Sequence, residues 1–311
     1  MAVVALPDWL DFRPRLFPSC NFAWLRGPQP VLVDSGFGAD LEATLALLPD
    51  EPALVFNTHW HSDHVGRNAG LANRFGMPIA ASVTEGSRVN AGDPESFGSA
   101  WLDQPVDPFH VDRLVEPGEM LDTGVVRLRV VPAAGHSMGQ IALFEDRSRV
   151  LIAGDAILAS DVAWINPFLD GAAALEVAIA TLERIGLLDA HVAVAGHGEV
   201  IEDVADCIKG SLERLRLWRQ EPARMAYHGS RRIFGFALMI HGGFRRSQLM
   251  PYLQARRWVH DFAPLAGVPS EEFAERVVSD LLRSGAACWH DDRLISTVPH
   301  SPAGRRGSAR S

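Results

Sequence analysis

The chain has 311 residues, 47% of them hydrophobic and 22% charged, the balance of an ordinary globular protein rather than a collagen-like or disordered one. At roughly 150 residues per domain, this length suits one large domain with a smaller companion. No apolar run approaches the ~18 residues of a membrane span, and the N-terminal MAVVALPDWLDF lacks a basic region, a long apolar stretch and a cleavage site, so a cytoplasmic protein without membrane association is expected.

Cys20, Cys207 and Cys288 are too few and too scattered for a disulfide framework or a CxxC metal knuckle, and read as packing residues in a reducing compartment. The net charge of −9 conceals an asymmetry: residues 1–210 carry −16, residues 211–260 carry +8 from ten arginines and two glutamates, and the remainder −1. An acidic body disfavours nonspecific nucleic-acid binding. The arginine-rich segment is expected to dock onto that body, with binding of an anionic ligand or a nucleic acid as the alternative.

In chain order, residues 31–35, 53–57, 78–83 and 125–131 read as short strands rich in branched residues. Helical spacing recurs between them, at Leu41, Leu45 and Leu48 and at Val65, Leu71, Ala72 and Phe75. Residues 84–118, rich in Gly, Pro and Asp around Phe97, Trp101 and Phe109, read as a long lid-like loop. Strands follow at 140–145, 149–153 and 191–195, with a helix across 172–185, and the mixture predicts an α/β sandwich over residues 1–210. Beyond it the pattern turns helical, with helices near 233–240 and 247–256. Ser270 is placed to cap a helix with the stripe Phe273, Val277 and Leu281, ending at Gly285. ACWH and RLIS then flank the turn pair Asp291 and Asp292 as a hairpin. Residues 211–300 are therefore read as a small, mainly helical, winged-helix-like domain for packing or homodimerisation, with DNA binding a minor alternative. Residues 301–311 are read as a disordered tail.

The decisive segment is NTHWHSDHVG, residues 57–66, directly after the strand ALVFN. His59, His61 and Asp63 recur at two-residue spacing and so share one side of an extended segment, while His64 stands where a helix begins. Four ligand-type side chains within six positions are poor packing material, because each needs a polar partner when buried. A metal site accounts for them together. Further candidates follow apolar runs beside glycine: His136 in PAAGHSMG, Asp155 in VLIAGDAIL and His197 in VAVAGHGEV. Glycine there lets the backbone approach a crowded centre closely. Trp60, between two ligand candidates, is expected to point away from them into the core.

The order HxHxDH, then His, Asp and His, with Asp34 upstream in VLVDSG, resembles the metallo-β-lactamase-fold hydrolase family across roughly residues 15–205. The resemblance implies an αββα sandwich with a metal centre at one edge of its two sheets. It implies a first metal on His59, His61 and His136 and a second on Asp63, His64 and His197, with Asp155 bridging. Two zinc ions are the expected cofactor, with iron or manganese as alternatives. Imidazole and carboxylate suit zinc, and two ions ~3.5–4 Å apart can share a hydroxide nucleophile. Asp63, Asp155 and Asp34 are then the expected catalytic carboxylates, Asp34 by orienting a ligand histidine.

Members of that family that cleave β-lactams usually have cysteine or serine where Asp155 stands, so β-lactamase activity is not expected. Lactone hydrolases often carry a tyrosine between the bridging aspartate and the last histidine, whereas Tyr227 and Tyr252 both lie beyond His197. The better overall resemblance is to members with a winged-helix-like tail, which include hydroxyacylglutathione-hydrolase-like proteins and some endoribonucleases. The expected partner is a small-molecule ester, thioester or related acyl substrate. Three alternatives stay open: an endoribonuclease or phosphodiesterase of the same fold, a mononuclear iron persulfide dioxygenase, and a noncatalytic module with a structural metal. The loop after Asp155 is expected to pass near the substrate, with Asp161, Trp164, Asn166 and Phe168 as contacts, joined by Trp101 from the lid-like stretch.

Overall fold

The structure of the protein is a computed structural model describing residues 5–38 and 41–301. Six strands form the first sheet in chain order: β1 (Leu10–Arg13), β2 (Phe22–Leu25), β3 (Val31–Val33), β4 (Leu54–Phe56), β5 (Ile79–Ser82) and β6 (Arg113–Val115). β1 to β3 pair antiparallel and β3 to β6 parallel. The parallel crossovers carry α1 (Leu41–Leu45), α2 (Ser62–Val65), α3 (Asn68–Phe75), α4 (Val83–Asn90) and α5 (Ser99–Leu102). The second sheet contains β7 (Met120–Asp122), β8 (Arg127–Pro132), β9 (Ile141–Glu145), β10 (Val150–Ile152) and β11 (Val192–Val194) in the order β11–β10–β9–β8–β7. Its one parallel pair, β10 with β11, is joined through α6 (Ala174–Gly186).

Alternation along the strands decides the layers. Val31, Val33 and Phe56 meet Leu128, Val130 and Leu143 between the sheets. Leu32, Val55 and Ile79 belong instead to the layer containing Leu71 of α3. On the second sheet, Val131, Phe144 and Leu151 pack with Leu182 of α6 and with Leu215 and Trp218 of α7 (Val204–Gln220). The αββα sandwich implied by the resemblance is the observed fold. The boundary expected at residue 210 falls inside α7, whose second half packs Leu215 and Trp218 against the sandwich.

The C-terminal helices α8 (Pro222–Ile240), α9 (Arg246–Gln254), α10 (Arg257–Ala266) and α11 (Ser270–Arg283) enclose Phe234, Trp258, Phe262 and Phe273. Beside them lies a small sheet, ordered β12–β14–β13, of β12 (Phe244–Arg245), β13 (Ala287–His290) and β14 (Arg293–Ser296). The hairpin turns at Asp291, which has a left-handed φ of 51°.

Several expectations need correction. Residues 84–118 are not one loop: Ser82 caps α4 by accepting from the Glu85 backbone N–H at 3.3 Å, and α5 and β6 follow. Gly86 sits in α4 where a side chain would collide with Val111 and Leu114. Ser270 does not cap α11 but is its first residue, after an extended Pro269. β1, β2, β6, β7 and α10 were not anticipated. The tail read as disordered lies, beyond Ser301, outside the described residues.

The arginine-rich segment does dock onto the acidic body. Arg214 and Arg232 both bind Asp161, Arg216 binds Glu183 at 2.9 Å, Arg219 binds Glu176 at 3.4 Å and Arg256 binds Asp103 at 3.1 Å. Arg246 instead lies 3.9 Å over the Trp289 ring, within the C-terminal part. Among the described residues, no helix is long and apolar enough to cross a membrane.

Candidate metal centre

The site forms where strands of both sheets end. The chain leaves β4 at Phe56, runs extended through His59 and His61, and turns into α2, which begins at Ser62 and carries Asp63 and His64. His136 follows β8, Asp155 follows β10 and His197 follows β11. All seven ligand candidates therefore converge although 138 positions separate the first from the last in sequence. His59, His61 and His136 form one group, and Asp63, His64 and His197 another, each with ligand atoms within 4.8 Å of one another. A third group of the same tightness, His59, His64 and Asp155, joins the two.

Hydrogen bonds set the imidazole tautomers. His64 Nδ1 donates to Asp34 Oδ2 at 2.7 Å, and His136 Nδ1 donates to the Trp164 carbonyl at 2.7 Å. Thr58 Oγ1 donates to Asp34 Oδ2 at 2.7 Å and so accepts from His59 Nδ1 at 3.1 Å. Each of these histidines thus aims an Nε2 lone pair inward, as a ligand must. His59 Nε2, His64 Nε2 and Asp155 Oδ1 are buried without a hydrogen-bond partner. Buried polar atoms are normally satisfied, and orphaned acceptors that converge call for a cation.

Electrostatics agrees with that reading. Burial pushes His61 down to about 3 and His59 well below its usual range, so both rings are neutral and able to ligate. Burial alone would raise Asp155, but His197, His64 and His136 hold it far below the ordinary carboxylate range. For His64, burial opposes protonation, yet Asp155 and Asp34 outweigh it and raise its pKa well above normal. Its Nε2 lies 3.5 Å from Asp155 Oδ1, a gap that a proton bridges without metal and a cation bridges with one. Cys20 also approaches Asp34 and His64, and burial pushes its thiol up to about 12, so that it is protonated in the absence of a cation.

The backbone is shaped for this crowding. A methyl group on Gly196 would overlap Asp155 Oδ1 and His64 Cε1. The loop that carries His197 is clamped by Asn21, whose Nδ2 donates to the Ala195 and Gly198 carbonyls at 3.0 and 2.8 Å. Asn21, Thr58 and Phe17, which stacks on His197 at 4.8 Å, were not singled out in the sequence, because an isolated polar or aromatic residue carries no spacing signal.

A cavity of about 380 Å³ opens onto His61, Asp63, His136, Asp155 and His197. Of the expected substrate contacts, Trp164 and Asp161 line it, and Trp164 also stacks on His61 at 5.2 Å. The other three do not. Asn166 is wholly buried, its Oδ1 accepting the Phe168 and Leu169 backbone N–H groups in the loop turn. Trp101 is buried behind Trp164 with Nε1 donating to Asp261 at 2.7 Å, and Phe168 packs edge-on against Phe262. Phe97, expected in a lid, packs between Trp60 and Phe109, and Trp60 is buried as expected.

The profile of the Metallo-beta-lactamase superfamily matches residues 15–197, more than half of the chain. A probable metallo-hydrolase, YybB, of Bacillus subtilis strain 168 is 28% identical over 136 residues, which cover 43% of this chain and 60% of that protein. A hydroxyacylglutathione hydrolase of Brucella anthropi is 24% identical over 138 residues, 43% of this chain and 46% of its own. The chain thus spans roughly half of the curated relatives it matches. A metallo-beta-lactamase family protein of Thermus thermophilus shares the fold over 94% of this chain and 100% of its own, with a TM-score of 0.60 at 22% identity.

Proposed function

Because the chain belongs to the metallo-beta-lactamase superfamily, with its ligand-type residues facing an apolar cavity, we propose that it is a metal-dependent hydrolase of ester or thioester substrates. The observation that carries this reading is the convergence of three orphaned acceptors, His59 Nε2, His64 Nε2 and Asp155 Oδ1, beside a small-molecule cavity. Two zinc ions are the proposed cofactor, held by His59, His61 and His136 and by Asp63, His64 and His197, with Asp155 between. When bound, such ions supply Lewis acidity and a nucleophilic hydroxide near neutral pH.

The chain's own residues do the rest. Asp34 fixes the ring of His64, and the Trp164 carbonyl fixes that of His136, so both histidines are oriented before substrate arrives. Phe17 and Trp164 cover the flanks of His197 and His61 and keep bulk water from the reacting bond. Apolar side chains from α8 favour an acyl substrate over an RNA strand, which would need exposed base-stacking surfaces. The arginines paired with the acidic body also argue against nucleic acid as the partner. A cytoplasmic setting completes the reading, in keeping with three free thiols.

The test is metal analysis of the purified protein joined to a panel of thioesters, esters, lactones, β-lactams, phosphodiesters and persulfides. Thioester or ester turnover that is lost on chelation and restored by zinc is expected. RNA or phosphodiester cleavage without acyl turnover, or one tight iron with oxygen consumption on a persulfide, would overturn the proposal.

A further inference from the structure

The cavity that receives the ligand residues has a second chemical character, supplied by the C-terminal helices. Leu102, Ile233, Phe236, Met239, Leu281 and Val298 line it with hydrocarbon. Phe236 is braced from outside α8 by Phe37, edge-on at 5.5 Å. Arg231 and Arg232 line the same space.

Neither of these arginines has a carboxylate partner to itself. Arg231 Nη1 binds Asp280 Oδ2 at 3.0 Å, but Asp280 also binds Arg276 and Arg283. Arg232 Nε binds Asp161 Oδ2 at 2.8 Å, but Asp161 also binds Arg214 at 3.0 Å. Five guanidiniums thus share two carboxylates, and the two that line the cavity, Arg231 and Arg232, stand there with Asp161 beside Asp63 and Asp155, which belong to the proposed metal ligands. Each arginine offers five N–H donors in a planar fork suited to a carboxylate or phosphate, more than one shared carboxylate can occupy.

We propose that the ligand of this cavity is amphipathic, a hydrocarbon acyl ester or thioester that also bears an anionic group, with the anion held by Arg231 and Arg232 and the chain by the apolar wall. The nature of the cleaved bond rests on the hydrolase reading, whereas the binding preference does not. Carboxylate and phosphate share the required chemistry.

Nonhydrolysable thioethers separate binding from turnover. Zinc-loaded full-length protein is titrated calorimetrically with S-octyl pantetheine, which is neutral, with S-(7-carboxyheptyl) pantetheine and with S-octyl coenzyme A. At least one anionic compound is expected to bind about tenfold or more tightly than the neutral one, and which one does so identifies carboxylate or phosphate as the anion. Shortening the chain from octyl to butyl is expected to weaken binding by roughly fourfold per methylene lost from the wall. In Arg231→Gln/Arg232→Gln the anionic preference is expected to vanish, and Arg232→Gln alone serves if the double variant does not fold. Equal affinity for all three compounds, no binding of any, or a preference that survives in a folded variant would overturn the proposal. An anionic preference without turnover of the corresponding acyl thioesters or esters would overturn the hydrolase reading alone, and turnover without the preference would overturn only this inference.

Discussion

Asp34 Oδ2 accepts a 2.7 Å hydrogen bond from His64 Nδ1, and that bond decides which nitrogen of His64 faces the metal centre. Asp34 itself has a left-handed φ of 58°, a conformation that asparagine also tolerates. Asp34→Asn therefore keeps the backbone but removes the charge that anchors the ring. Metal affinity or activity is expected to fall about 10–100-fold, read by competition with a chromogenic chelator. Affinity equal to that of the unmodified protein would show that Asp34 does not orient His64.

Asp155 lies 3.5 Å from His64, 3.8 Å from His136 and 3.7 Å from His197, so it belongs to both ligand groups. Elemental analysis is expected to find close to two divalent ions per chain. Asp155→Asn should lose one of them, with a smaller effect on the melting temperature of the metal-free chain, since size is kept and only charge is removed. Retention of both ions at full occupancy would contradict a bridging role.

Glu85 supplies a pH dependence of a different origin. Burial pushes its carboxyl up to about 8, against hydrogen bonds from Ser137, Gly139 and Trp60 that act to lower it. Well below the normal value of about 4.3, folded and unfolded states both hold the proton. As pH rises from there, the unfolded chain ionises first, so Glu85's contribution to stability declines and levels off above about 8. Glu85→Gln mimics the protonated form. Urea melts should show it more stable than the unmodified protein at pH 9, by on the order of a few kcal/mol, with the gap closing toward pH 4. Parallel pH profiles would refute this.

Phe262 of α10 is fully buried and meets Trp101 edge-on at 5.5 Å, and Trp101 in turn stacks on Trp164 at 6.3 Å. Phe262→Ala should cost about 3–5 kcal/mol of stability by chemical denaturation. Because the Trp164 carbonyl holds His136, activity should also fall at temperatures where the variant remains folded. Unchanged activity would mean that Trp164 keeps its place without support from α10.

The ligand constellation was legible because metal chemistry imposes dense, regular spacing: no packing demand puts His59, His61, Asp63 and His64 so close together. Central strands were legible for a similar reason, since Val31–Val33 and Val150–Ile152 are buried on both faces and must be apolar throughout. Strand β1 was missed although Leu10 and Phe12 alternate with Asp11 and Arg13, because a four-residue edge strand is too short for its alternation to stand out. The cavity wall was only partly legible, for a deeper reason. Proximity to Asp155 in sequence pointed to Asp161 and Trp164, which line the cavity, and to Asn166 and Phe168, which do not, whereas Ile233, Phe236 and Met239 reach the wall only through tertiary packing.

Those three side chains stand three positions apart on one face of α8, and every ligand candidate precedes that helix in the chain. Part of the cavity wall is thus written in a stretch of the gene that encodes no ligand candidate. Mutation can redraw the guest list through a handful of codons in α8 while the reaction centre is inherited intact, and a library confined to Ile233, Phe236 and Met239 is the shortest laboratory route to a new substrate.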